Sequence, residues 1–365
     1  MRKVLLPLLS WVFSLISVDA FSQKGLEGII VEKYYIRGPG DTASPSINGF
    51  LPQGTVTYRI YVDMAPVFRF QACYGVQGHE LLVKTTTRFF NNPLVDGVSA
   101  NDIHPSTLSK GWAMLDSWLS VGAAALDYRA VLKAQDEDTV PSLAQSNTAG
   151  YLRNDDPSSG VTLMESDGMS FLRLQPIVNY YNLEQDLRVF DHRYANESPG
   201  LIRTSDGAWA SYGGTVGVQP ENQVLIAQLT TDGVLEFELN LQLAVPGGGK
   251  ENYVARNPGE GEFTHPGLIY SSSPGSKAPE IGLTFEYVKG KNPVMLVASQ
   301  SDEDFAIAEV EFYAGDLPVA KLNSPPFRLE LTDVESAQWY YAVAVDNNGN
   351  RSRSNHFFYK GSEKK

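Results

Sequence analysis

The chain has 365 residues, 42% of them hydrophobic, with 32 glycines, 21 prolines, a single cysteine and a formal net charge of −13. That length accommodates two domains, and that apolar content excludes wholesale disorder. The acidic balance disfavours nucleic acid and anionic lipid as partners, and one cysteine, Cys73, excludes both an intramolecular disulfide and a thiolate zinc site.

The first residues read as an address. Arg2 and Lys3 form a short basic region, Val4 to Val18 an apolar run, and Val18-Asp19-Ala20 offers small or apolar residues to a signal peptidase. The pattern predicts a signal peptide over residues 1–22, cut after Ala20 or after Ser22. The run is short for a membrane anchor, and no later run is long enough to span. No cysteine lies near the cut, so a lipoprotein is not expected. Cleavage after Ala20 removes Arg2, Lys3 and Asp19 and takes the net charge from −13 to −14. The expected location is the periplasm, the cell surface or the outside.

Strand signals dominate the chain beyond the signal peptide. Eighteen tyrosines and 17 phenylalanines favour strands. Gly28 to Tyr35 reads as the first strand, followed by a loop rich in Gly and Pro. In TVTYRIYVDM, Val56, Tyr58, Ile60 and Val62 alternate with Thr57, Arg59, Tyr61 and Asp63, which predicts one core face and one water face. Phe68 to Tyr74, with Cys73 small and partly buried, and the strand in ELLVKTTTRFF continue the meander. Asn91 to Lys110 reads as a loop, and Trp112 to Ala124 as an aromatic-anchored strand. Asp127 to Asp167 reads as long connections with little regular structure. Short strands should resume near Phe171 to Tyr181 and Leu187 to Phe190, and Ala208 to Gly214 should turn a corner.

The clearest pattern is Gln223 to Val245. Leu235, Phe237, Leu239, Leu241 and Leu243 share one face; Glu236, Glu238, Asn240 and Gln242 share the other. Val224 to Leu229 is a second apolar run, and Thr231-Asp232-Gly233 supplies turn chemistry with a glycine able to take positive φ. An antiparallel hairpin is expected. Tyr253 to Ala255 and Leu268 to Tyr270 should close the sheet.

Ser271 to Pro279 is rich in Ser, Pro and Gly and reads as a linker. Beyond it, strands recur at close spacing over 284–287, 294–299, 307–313, 319–322, 327–331, 339–345 and 356–359, with an Asn348-Gly349 turn. The expected organisation is a signal peptide over 1–22, a β-sandwich over 23–273, a linker over 274–280, a second sandwich over 281–360 and a polar tail over 361–365. The fold class is all-β: a large jelly-roll-like sandwich followed by a smaller immunoglobulin-like one.

Val310, Glu311, Phe312, Tyr313 and Gly315, then Pro325-Pro326-Phe327, then Ala342, Ala344, Asp346, Asn347, Gly349 and Asn350 carry a resemblance to bacterial immunoglobulin-like domains. That resemblance implies a sandwich and a role as spacer, adhesion module or companion of an enzyme. The stretches EGIIVEKYY, LPQGTVTYRIYVDMAP, LDSWLSVGAA and VLIAQLTTDGVLEFELNLQ resemble β-rich modules in large exported surface proteins of gliding-type Gram-negative bacteria. The resemblance implies no catalytic role.

Groups suited to chemistry are few. His79, His104, His192, His265 and His356 show no ligand spacing, and neighbours such as Asp191-His192 point to opposite faces of a strand. No nucleophile elbow, phosphate loop or dinucleotide fingerprint occurs. Among carboxylates, Asp116 and Glu165-Ser166-Asp167 stand out, and Asp116 is expected to face solvent or pair with an arginine. Asp346 to Asn350 is better explained by a turn than by calcium, and Asp136 to Asp138 by a solvated face. Asp41-Thr42-Ala43 and Asp138-Thr139-Val140 fit a short O-glycosylation pattern at Thr42 and Thr139. Trp112, Trp118, Trp209 and Tyr212 could form a sugar-stacking platform, although aromatics in strands more often fill cores. No catalytic, cofactor or metal site is expected. The expected function is that of an exported, non-enzymatic structural or adhesion protein. It would touch surface proteins or glycans through the loops over 91–110 and 127–167. The alternatives are a carbohydrate-binding protein and a carboxylate-dependent hydrolase.

Overall fold

The computed structural model describes residues 24–37, 51–52, 54–95, 97–108, 111–135, 168–171, 176–194, 200–272, 279, 281–287, 294–300, 307–315, 317–331, 337–346 and 351–359. The first part holds strands β1 (Leu26–Ile36), β2 (Val56–Met64), β3 (Arg69–Tyr74), β4 (Leu81–Thr85), β5 (Trp118–Leu119), β6 (Ala123–Ala125), β7 (Tyr128–Ala130), β8 (Met169–Phe171) and β9 (Asn179–Tyr181). It continues with β10 (Leu201–Thr204), β11 (Ala208–Thr215), β12 (Gln223–Thr231), β13 (Leu235–Glu238), β14 (Leu241–Ala244), β15 (Lys250–Tyr253), β16 (Glu262–Phe263) and β17 (Ile269–Ser271). The second part holds β18 (Ile281–Tyr287), β19 (Val294–Gln300), β20 (Ile307–Ala314), β21 (Leu317–Leu322), β22 (Arg328–Leu331), β23 (Gln338–Asp346), β24 (Arg351–Arg353) and β25 (Phe357–Tyr359). The chain is all-β and builds two sandwiches. Among the described residues no helix is long and apolar enough to cross a membrane.

The N-terminal sandwich sets one sheet, β1-β2-β12-β5, against two others, β10-β4-β13-β17 and β16-β15-β14-β3-β11-β9. Because β3 leads into β4, β10 into β11 and β13 into β14, those two are halves of one layer folded along a crease. The leucine pattern builds the core between the layers: Leu235, Phe237, Leu239, Leu241 and Leu243 are all buried there, as expected. Asn240 departs from its predicted water face. It sits on the crease, buried, where the neighbouring chain segment loops out between β3 and β4. Its Nδ2 donates to the carbonyls of Tyr74 and His79 at 3.0 and 3.1 Å, and its Oδ1 accepts the Ala255 N–H at 3.0 Å. Gly75 stands beside it on the same crease. Its N–H donates to the Gly207 carbonyl at 2.8 Å, and a Cβ there would lie 2.1 Å from the Thr204 carbonyl oxygen.

The expected hairpin between Val224 and Val245 does not form. β12 pairs with β2 and β5, whereas β13 pairs with β4 and β17, so Thr231-Asp232-Gly233 arches from one layer to the other. Gly233 is needed for space. A Cβ would come within 2.6 Å of the Thr85 and Thr87 hydroxyls, and those hydroxyls bond Thr231 Oγ1 at 2.6 and 3.0 Å.

Strand β2 also departs from its expected half-exposed character. Its supposed water face is buried: Thr57, Arg59 and Tyr61 are all inaccessible, because a second core covers the sheet's outer face. That core is built from the segment read as loop and strand over 91–124. Val95, Ala100, Ile103 and Leu108 pack into it, along with Trp112 to Leu115 and Trp118. Gly111–Leu115 is a 3₁₀ turn, and the strand expected over 112–124 is extended only at Trp118–Leu119 and from Ala123 on. Asp186–Phe190 is likewise 3₁₀ where a strand was expected. Arg59, cut off from water, stacks 3.6 Å over the Tyr34 ring and donates to Gln228 Oε1 and the Gly168 carbonyl, each at 2.9 Å. Nearby, burial pushes the Glu32 carboxyl up and pulls the Lys133 ammonium down to about 8.

In the C-terminal part the seven expected strands fall where the spacing placed them, and β24 (Arg351–Arg353) is added to them. β18-β19-β22 faces β21-β20-β23-β24, with β25 also on β23. First, second and fifth strands thus oppose the third, fourth, sixth and seventh around Leu283, Val310, Phe312, Tyr340 and Ala342, an immunoglobulin-like sandwich. The junction uses the inter-layer arch. Arg351 donates to Asp232 of the arch at 3.0 Å and to Glu311 at 2.6 Å. The Arg353 N–H reaches the Thr86 carbonyl at 2.5 Å. Most of the expected linker, 273–278 and 280, lies outside the described residues, as do the signal peptide, the Asn348-Gly349 turn and the polar tail.

Candidate functional site

The sequence AWASYGGT makes β11 an interrupted strand. Trp209 and Ala210 pair with Cys73 and Ala72 of β3, and pairing resumes only at Thr215 opposite Phe70. The residues between bulge out. Gly213 and Gly214 take φ of 74° and 72°, a region open to glycine at little cost. The bulge is pinned: Thr215 Oγ1 donates to Ser211 Oγ at 2.9 Å, and Arg69 Nε donates to the Gly214 carbonyl at 3.2 Å. The outcome is that Trp209 is fully buried while Tyr212, three residues on, is 79% exposed. Tyr181 on the neighbouring strand hydrogen-bonds the Tyr212 side chain.

Beside this bulge lies a cleft of about 500 Å³, within the range of small-ligand sites. Tyr212, Ile177, Asn179, Arg69, Arg129 and Gln223 line it, brought from separate elements of the fold. Among the described residues two guanidiniums stand in the lining and no carboxylate does, although the whole chain is strongly acidic. Burial pulls the Arg129 pKa down, from a value so high that the side chain stays charged. Its Nε is buried with no acceptor among the described residues, and Gln223 Oε1 is buried with no donor. Ile177, 69% exposed, adds an apolar surface. Among the described residues no Asp, Glu, His or Cys lines the cleft, and the Asp63 carboxyl bonds the side chain of the lining Gln223.

Of the four aromatics expected to form a platform, only Tyr212 is available to a ligand. Trp112 and Trp118 belong to the second core and Trp209 to the first, each at most 1% exposed. Their strand and turn positions face inward because both sides of the central sheet are covered. Asp116, expected in solvent or on an arginine, is buried too. Its Oδ1 accepts the Asn92 N–H at 2.5 Å, its Oδ2 has no partner among the described residues, and burial pushes its carboxyl well above the usual range. It has no opening to a substrate. Cys73 is wholly buried, and burial pushes its thiol well up. Among the described residues no group of three His, Cys, Asp or Glu side chains could hold a metal ion. Thr42, Thr139, Asp136 to Asp138 and Glu165 to Asp167 lie outside the described residues.

Arg69, Arg129, Ile177 and Gln223 carried no signal in the sequence, since each stands far along the chain from the others. Tyr212 was legible as an aromatic ahead of a Gly-Gly pair.

The geometry defines a two-sandwich β-protein with a small cleft of mixed polar and apolar lining on the larger sandwich. No protein-family model matches the sequence, and no curated protein does. Among solved structures, fibronectin(III)-like modules of Clostridium thermocellum CbhA are similar at 15% identity and a TM-score of 0.19, over 52% of this chain and 80% of theirs. The Endo-D glycoside hydrolase domain Spr0440 of Streptococcus pneumoniae R6 is similar at 11% identity and a TM-score of 0.18, over 91% of this chain and 37% of its own. Similarity that low carries no functional argument.

Proposed function

We propose that this is an exported, non-enzymatic structural or adhesion protein of the periplasm or cell surface, acting by contact with surface proteins or glycans. The observation that supports this reading is the Tyr212 cleft. A pinned bulge holds an exposed ring beside two cations, with no carboxylate, imidazole or thiol among the described lining residues. Such a set can recognise by shape, stacking and hydrogen bonds; it lacks the usual acid and base of a hydrolase. Of the loops expected to make contact, 91–110 sends Val95, Ala100, Ile103 and Leu108 into the second core and keeps His104 and Ser106 exposed, and 136–167 lies outside the described residues; the cleft adds a further contact surface. Burial of Asp116 weakens the hydrolase alternative, whose other candidates, Glu165 and Asp167, lie outside the described residues.

The test is a screen of the mature protein against polysaccharide, ester and peptide substrates, with a binding array of glycans and surface-protein extracts alongside. The expected result is binding without turnover, lost on Tyr212→Ala. Turnover abolished by Asp116→Asn or Glu165→Gln overturns the reading. The export part is tested by N-terminal sequencing of the secreted chain, expected to begin at Phe21 or Gln23; a retained Met1 refutes it.

A further inference from the structure

We propose that the Tyr212 cleft takes an acidic saccharide, with a sugar carboxylate on Arg129 and Arg69 and a sugar face against Tyr212. This deepens the contact reading above and rests on it. Three observations converge on the ligand class.

The first is charge. Among the described residues the lining holds two guanidiniums and no carboxylate, in a chain of net charge −13; the Asp63 carboxyl bonds the Gln223 side chain without joining the lining, and the two cations outnumber it. A low-dielectric wall focuses that charge on an anion that enters. The second is unmet hydrogen bonding. Arg129 Nε is buried without an acceptor and Gln223 Oε1 without a donor among the described residues. Each is expensive to leave so, and both belong to side chains that line the cleft, so a ligand that draws them outward with an anionic oxygen and a hydroxyl satisfies the two. The third is surface. The exposed Tyr212 ring and the exposed Ile177 side chain offer apolar contact beside the amide of Asn179. Sugar rings present C–H faces edged with hydroxyls and so match an aromatic next to small polar groups. A neutral sugar leaves the guanidiniums unanswered. An acidic peptide answers them but brings few hydroxyls.

The experiment is isothermal titration of the mature protein with uronic- and sialic-acid oligosaccharides, their neutral methyl esters, and an oligo-glutamate peptide. Parent, Arg129→Gln, Arg69→Gln and Tyr212→Ala are compared after their folding is checked by melting. Arg69 is exposed, so its variant stays informative if Arg129→Gln fails to fold. The expected result is binding of at least one acidic saccharide, weakened roughly ten-fold or more by esterification or by loss of either arginine. Tyr212→Ala should weaken it as well. Esters that bind as tightly as acids, with Tyr212→Ala still disruptive, overturn the acidic class and leave the cleft as a contact site. Preference for oligo-glutamate overturns the saccharide class. No saccharide or peptide binding, or binding indifferent to all three substitutions, overturns the cleft itself.

Discussion

Replacing Asn240 by alanine tests whether the crease is held by one side chain. Asn240 is buried at the point where β13 gives way to β14 and where the neighbouring chain segment leaves the layer between Tyr74 and Leu81. Alanine leaves the buried Ala255 N–H without its 3.0 Å acceptor and the Tyr74 and His79 carbonyls without their donor. A buried unsatisfied group costs about 1–3 kcal/mol, and the N–H, with a single bond to make, bears it in full. The carbonyls retain other partners or a second lone pair, so the expected loss is about 2–4 kcal/mol. Urea unfolding followed by fluorescence of the buried Trp112, Trp118 and Trp209 reads it directly. Asn240→Asp sharpens the test. It keeps the acceptor for Ala255 but sets a second oxygen against carbonyls, so its folded pKa is raised. Its stability is then retained below the unfolded pKa of about 3.9 and lost as pH rises above it. Alanine costing under about 0.5 kcal/mol, or an aspartate variant no weaker at pH 7 than at pH 4, would refute the reasoning.

Leu239→Ala should cost about 2–5 kcal/mol of N-terminal-domain stability and Glu238→Ala within about 0.5 kcal/mol, by the same unfolding assay; equal losses would mean that the face assignment is wrong. Burial raises Asp116 above its unfolded pKa, so its contribution is present below that pKa and lost as pH rises toward the folded value. Asp116→Asn, which keeps an acceptor for Asn92, should match the parent near pH 4 and exceed its stability at pH 8; a parallel pH profile speaks against this. Arg351→Met leaves Asp232 and Glu311 without their shared cation, at about 2 kcal/mol. Calorimetry should show the C-terminal sandwich melting earlier, and an unchanged trace would remove Arg351 from the junction.

Local pattern carried the class, most of the strands and much of the first core, but not the 3₁₀ turns at Gly111–Leu115 and Asp186–Phe190, where strands were expected. Period two placed Leu235 through Leu243 in the core without any neighbour being known, because alternation is a property of the strand itself. The spacing of short strands after residue 280 likewise placed the immunoglobulin-like sandwich. What failed was everything decided by a second surface. Arg59 and Tyr61 alternate as a water face should, and only the segment over 91–124, folding back across the sheet, buries them. Asn240 obeys the same alternation and is buried because the strand beside it leaves the layer there. The turn residues Thr231 to Gly233 announce a change of direction, but a turn cannot say whether the chain returns to the same sheet or crosses to the other.

The cleft shows the division at its plainest. Gly213-Gly214 after an aromatic is visible in the chain, and it suffices to present Tyr212. Arg69, Arg129, Ile177 and Gln223 come from elements as far apart as β3 and β12, and their meeting exists only once the layers pack. The sequence alone therefore determined which residues alternate, bend and break strands, because those preferences act over a few bonds. Which faces are covered, and which distant side chains share a cleft, was decided by long-range packing, for which a single chain read locally holds no signal.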